Sequence, residues 1–320
     1  MIQKSSWEAS DSESIPKHGA TWMGVFYIFL GSIFFSAKAI LAKLTYLEGL
    51  TGIEALTLRV SFAFPFYLGS LLWILWRKKY SAKIEPGQIL LVIFYGFLGY
   101  YLASLFDFLG LQYITASLER LVLFVYPTFV VILNFLFFGA RIGKWEILAL
   151  ITSYTGISFA YLHDLELGGE KTELGAALVL LSALTYALYL MGSGNLIPKL
   201  GTNLFTSIAM LTACLFIFIH YSLFYEWNRF LEFSGKVYLY GVFLGVFTTV
   251  VPSYLISAGI HIIGSSRSSI IASIGPVSTI FLAYIFLGEE FGLYQMIGTG
   301  LVLLGVLMIG KAKKKEIVRG

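Results

Sequence analysis

The sequence predicts an all-α membrane protein of ten transmembrane helices, folded as two inverted five-helix repeats with both termini cytoplasmic. Three observations carry that prediction. Of 320 residues, 58% are hydrophobic and 12% charged, against about 25% charged in a soluble domain. A displacement of 149 positions sets Gly96 on Gly245, Gly110 on Gly259, Pro127 on Pro276, Gly139 on Gly288 and Gly143 on Gly292 without a gap. The charges between apolar stretches also alternate in sign along the chain, as the positive-inside rule requires of a polytopic protein.

A spanning helix needs about 20 largely apolar residues. The first half predicts spans at Trp22–Leu44, Ile53–Trp76, Ile89–Tyr113, Ser117–Phe138 and Trp145–Leu162. The second predicts Leu174–Ile197, Leu204–Phe224, Val237–Ile262, Ser268–Leu287 and Leu293–Gly310. An odd number of crossings per repeat reverses the second copy relative to the first, a common plan among transporters. The chain then divides into a disordered cytoplasmic tail (1–20), a first repeat (21–164), an extracytoplasmic linker (165–173), a second repeat (174–310) and a basic cytoplasmic tail (311–320).

An N-terminus in the cytoplasm gathers Arg77, Lys78, Lys79, Lys83, Arg141, Lys144, Lys199, Arg267 and the basic tail on the inner side. Asp164, Glu166, Glu170, Glu173, Glu226, Glu232, Glu289 and Glu290 fall outside. The polar N-terminal stretch has no apolar core of the signal-peptide kind, so the first apolar segment is read as an uncleaved span. Cys214 is the single cysteine, which excludes a disulfide framework or a thiolate metal cluster. No metal, cofactor or nucleic-acid partner is expected. The expected partners are the lipid bilayer and a small-molecule substrate, with the oligomeric state left open, a monomer included.

Charges inside spans are the first functional candidates, because each costs about 2.5–3.5 kcal/mol at a helix centre on insertion scales. Lys38, Arg59, Asp107, Glu119 and Arg120 all fall in the outer third of the first repeat. They are read as a mutually neutralising network that gates the outer side of a central cavity, or as a static lock between helices. Polar stripes are the second candidates. Tyr100, Ser104 and Asp107 share one face of the third segment, and Tyr254, Ser257 and His261 one face of the eighth. Both stripes are expected to line the substrate path, with Tyr126, Tyr186 and Tyr189 as further wall residues. Asp107 or His261 would carry a coupling proton. Pro127 and Pro276 are expected to bend the fourth and ninth segments.

Gly31 and Ser32 followed by Lys38, then Leu58 and Arg59, then Gly110-Leu111-Gln112-Tyr113 leading to Ala116, form a recognisable series. Tyr126 with Pro127, and Pro276 followed by Leu287-Gly288-Glu289, continue it. From about Trp22 to Gly310 the chain thus resembles the drug/metabolite transporter superfamily, in the branch built from two EamA-type repeats. The resemblance implies a secondary transporter in a bacterial inner membrane, exporting a small metabolite, amino acid-like or otherwise amphipathic, by alternating access. The first copy departs from the pattern, with Gly139 followed by Ala140 where the second has Gly288 followed by Glu289.

Two other classes stay open. A non-transporting receptor or scaffold has no sequence signature to separate it. An intramembrane enzyme fits less well: the histidines are scattered, and the adjacent Glu289 and Glu290 read as a solvated helix cap.

Overall fold

The computed structural model describes residues 18–77, 85–139, 143–167, 171–263, 271–272, 274–290 and 292–317. Lys78, Lys79, Lys83, Arg141, Glu170 and Arg267 lie outside the described residues, as do the side chains of Ser257 and His261.

Among the described residues the chain is helical, without strands. The first half runs as α1 (His18–Leu47), α2 (Gly52–Trp76), α3 (Pro86–Gly96), α4 (Ala103–Gly110), α5 (Ala116–Leu123), α6 (Tyr126–Phe138) and α7 (Lys144–Glu166). The second runs as α8 (Thr172–Leu200), α9 (Thr202–Phe224), α10 (Asn228–Leu231), α11 (Gly235–Val242), α12 (Val251–Ile263), α13 (Ile274–Leu287) and α14 (Leu293–Ile317). Among the described residues seven helical stretches are long and apolar enough to cross a membrane, and Ile274–Leu287 and Leu293–Met308 are shorter apolar helices.

The duplication is visible in the element boundaries. Gly52, Pro86 and Lys144, which open α2, α3 and α7, map within one residue onto Thr202, Gly235 and Leu293, which open α9, α11 and α14. Two further features recur that periodicity does not reveal. Phe97–Leu102 joins α3 to α4 as a π-helical segment, and Phe243–Val250 joins α11 to α12 in the same way. A π turn shifts the helical phase, so residues on one face above it leave that face below it.

Packing between the copies is reciprocal. α7 lies along its counterpart α14, and α2 along its counterpart α9. α1 packs on α12 and α13, while its counterpart α8 packs on α4, α5 and α6. The repeated glycines mark the close approaches. A Cβ on Gly96 would sit 2.7 Å from the Ala209 carbonyl oxygen of α9, and one on Gly245 would sit 2.6 Å from the Arg59 carbonyl oxygen of α2. Gly139 and Gly288 instead end α6 and α13 with φ of 63° and 66°, the left-handed stop that glycine adopts without a steric penalty.

The exterior is apolar, with Trp22, Trp76, Leu136, Phe137 and Phe224 exposed, whereas Lys38, Asp107, Glu119 and Arg120 are buried. This distribution fits a hydrocarbon surround, where ionisable side chains turn inward.

Candidate functional site

A cavity of about 460 Å³ opens where the two copies interlock, and both contribute to its wall. Helix geometry places its residues. The π segment at Phe97–Leu102 turns Tyr100 inward, and the following α4 turn adds Ser104 and Asp107. At the matching positions of the second copy, Thr249, Ser253 and Ile256 line the opposite wall.

The fourth predicted span is broken, where a bend at Pro127 was expected. α5 stops at Leu123 and α6 begins at Tyr126, so Pro127 occupies a first-turn position. Its missing N–H costs nothing there. Phe124 and Tyr126, at the break, face the cavity. Pro276 lies in the first turn of α13 and also lines the cavity.

The five in-span charges split into two arrangements. Lys38 makes an ion pair with Asp107 and lies 3.3 Å from Glu119 Oε1. Asp107 Oδ1 and Glu119 Oε2 are buried and accept no hydrogen bond from a donor among the described residues. The two arginines contact no carboxylate among the described residues. Arg59 donates through Nε to Thr249 Oγ1 at 2.8 Å and through Nη1 to Ser104 Oγ at 3.3 Å, with its guanidinium 5.6 Å from the Phe108 ring. Arg120 donates through Nε to Thr279 Oγ1 at 2.9 Å and through Nη2 to the Phe35 carbonyl at 2.9 Å. The expected five-member network is therefore a Lys38 triad flanked by two guanidiniums tethered to hydroxyls of the second copy.

Tyr126 and Tyr186 also line the cavity and meet edge to face, 5.1 Å between centroids. Tyr189 stands behind the wall, its hydroxyl 3.0 Å from that of Tyr100 and its ring seated over Gly99. Tyr254 lies elsewhere, 40% exposed and off the main cavity. Polar spacing alone does not fix the phase of the eighth segment. Among its described side chains the cavity is lined by Thr249, Ser253 and Ile256, the positions that the 149-residue displacement assigns to Tyr100, Ser104 and Asp107. That signal was present in the sequence. Thr279, Phe35 and Met210 had no comparable signal, because their roles depend on which helices meet.

Glu289 is not a solvated cap on its own helix. Its carboxylate accepts from the Ala116 and Ser117 backbone N–H groups at 2.7 and 3.2 Å and from Ser117 Oγ at 2.6 Å, capping α5 across the repeat boundary. Thr115 caps the same helix through Leu118 N–H and is itself held by Asp164. No group of three or more His, Cys, Asp or Glu residues suited to a metal occurs among the described residues.

The sequence pattern of the EamA-like transporter family matches residues 22–162 and 173–311. The uncharacterized transporter YcbK of Bacillus subtilis is 30% identical over 87% of this chain and 89% of its own length. The uncharacterized inner membrane transporter YicL of Salmonella typhimurium is 24% identical over 93% and 98%. A solved crystal structure of another protein aligns with a TM-score of 0.60 over 91% of this chain and 95% of that one, at 17% identity, a likeness of fold alone.

Proposed function

This chain belongs to the EamA-like transporter family, and from that premise we propose that it is a secondary transporter of a small amphipathic solute. The single observation that carries the reading is a cavity walled by matched positions of both copies: Tyr100 with Thr249, Ser104 with Ser253, and Asp107 with Ile256. A site shared by two copies with reciprocal contacts is one that their relative motion would open to either side.

In this proposal the chain crosses the membrane ten times as two inverted repeats, with both termini in the cytoplasm of a bacterial cell. Alternating access exports an amino acid-like or related solute. A proton bound at the Lys38, Asp107 and Glu119 cluster couples its movement. Loop charges and the family support the first part; the buried carboxylates beside the cavity support the second.

The test is counterflow of labelled amino acids and organic acids in liposomes carrying the purified protein. Asp107→Asn is expected to reduce flux to that of empty liposomes in protein that still folds and reconstitutes, with a lowered unfolding midpoint because Lys38 keeps only Glu119 as its partner. Normal flux through the variant would remove Asp107 from the mechanism. Absence of flux for every solute with the wild type would count against transport itself.

A further inference from the structure

The cavity carries more positive charge than its own residues neutralise. Three cations and two carboxylates leave one net positive charge, and the Lys38 triad takes both carboxylates. Arg59 and Arg120 are 7% and 4% exposed, line the cavity, and make no ion pair among the described residues. A buried cation with no carboxylate in contact is costly, so this arrangement requires an account.

The neighbours of the two arginines orient them without neutralising them. Each guanidinium has five N–H donors, and each is held through Nε and one terminal nitrogen. The remaining nitrogen, Nη2 of Arg59 and Nη1 of Arg120, makes no hydrogen bond to the described residues. Forked, pre-oriented guanidiniums with free donors are suited to planar oxyanions. Phe35, Phe124, Tyr126 and Tyr186 line the same space with aromatic rings, that of Phe35 lying 5.2 Å from the Arg120 guanidinium.

We propose that Arg59 and Arg120 receive the carboxylate of the transported solute, and that the ligand class is a small monocarboxylate with an apolar or aromatic body. The inference rests on the transporter reading and deepens it. In the state in which the Lys38 triad holds no coupling proton, one monoanion brings the charge of this cluster to zero, whereas a dianionic phosphate ester would overshoot. Simple carboxylic acids and α-amino acids share the recognised group. An amino acid would in addition offer its ammonium to Asp107 Oδ1, which accepts no hydrogen bond from a donor among the described residues. Thr249 and Thr279 belong to the second copy, whereas Ser104 and the Phe35 carbonyl belong to the first, so each guanidinium is tethered across the two copies, and their relative movement would loosen it and release the anion.

The experiment is thermal unfolding of the purified full-length protein with four probes sharing one aromatic body: 3-phenylpropanoate, phenylalanine, 2-phenylethylamine and phenyl phosphate. The expected result is a saturable rise in midpoint with 3-phenylpropanoate and none with the amine. A larger rise with phenylalanine would identify amino acids as the source of the carboxylate; a smaller one would identify simple acids. Arg59→Gln and Arg120→Gln should each abolish the shift. Thr249→Val and Thr279→Val keep both charges, so they test the tethers if an arginine variant does not fold; each should weaken binding severalfold. The proposal is overturned if the amine stabilises as well as the carboxylate, if phenyl phosphate binds more tightly, if neither carboxylate shifts the midpoint, or if the shift survives the substitutions. Carboxylate binding without flux of the same compounds in liposomes would keep this inference and sink the transporter reading; flux independent of the carboxylate would do the reverse.

Discussion

Lys38, Asp107 and Glu119 illustrate how far single residues can be read from position in a chain. Their presence inside apolar segments marked them, but which carboxylate meets which cation depends on the rotation of three helices. A fourth carboxylate makes a testable statement about pH. Asp164 follows the apolar part of α7 and accepts from Thr115 N–H and Oγ1, both at 2.8 Å. Burial pushes its pKa up to about 6, against the pull of those two hydrogen bonds. The unfolded chain releases this proton near pH ~4 and the folded chain near ~6, so stability falls by about 3 kcal/mol as pH rises through that window. Asp164→Asn should therefore gain stability relative to wild type across the window and hold a constant difference above it. Unfolding midpoints in detergent over the same range check this, and a difference that ignores pH would refute the assignment.

At the scale of elements, the broken fourth span depends on a cap supplied from elsewhere. α5 has eight residues, too short to hold itself without partners, yet it carries Glu119 and Arg120 into the core. Glu289 meets its first two N–H groups because the left-handed Gly288 turns the chain at the end of α13. A carboxylate at a helix N-terminus stabilises through both the hydrogen bonds and the helix dipole. Glu289→Ala should cost about 1–2 kcal/mol, within the range of lost caps. Glu290→Ala, at an exposed position, should cost almost nothing; equal losses would remove the cap from the account. The Gly288 and Glu289 pair was legible as a motif of the second copy. Its recipient was not, since α5 lies 172 positions away along the chain.

For the whole molecule, reciprocal packing is the controlling fact, and the α7–α14 crossing is its tightest expression. A Cβ on Gly156 would lie 2.7 Å from the Gly298 carbonyl oxygen, and one on Gly305 2.7 Å from the Ala149 carbonyl oxygen. The displacement exchanges these two contacts, Gly156 with Gly305 and Ala149 with Gly298, so one pair of helices is locked at two related points. Backbone atoms cannot withdraw from such a contact as a flexible side chain can. Gly156→Leu should lower stability by about 1–3 kcal/mol, the usual cost of overpacking. Gly300→Leu, where nothing lies within 4 Å, should be tolerated. Unfolding of the two variants side by side separates packing at this crossing from a general intolerance of bulk in α14.

Residue order alone was enough to show that the chain is a helical membrane protein, that it is a duplication, and that Lys38, Arg59, Asp107, Glu119 and Arg120 lie inside apolar segments, though not that Glu54 and Asp164 are buried as well. Composition, helical period and a fixed displacement are properties of one dimension, and they survive folding unchanged. Tertiary structure decided the rest. It paired Lys38 with Asp107 and Glu119, left Arg59 and Arg120 without an ion pair among the described residues, turned Tyr254 away from the cavity and carried Glu289 to α5. Each of these depends on the phase of a helix after a π turn or a break, and on which face then meets another helix, which no spacing along the chain records.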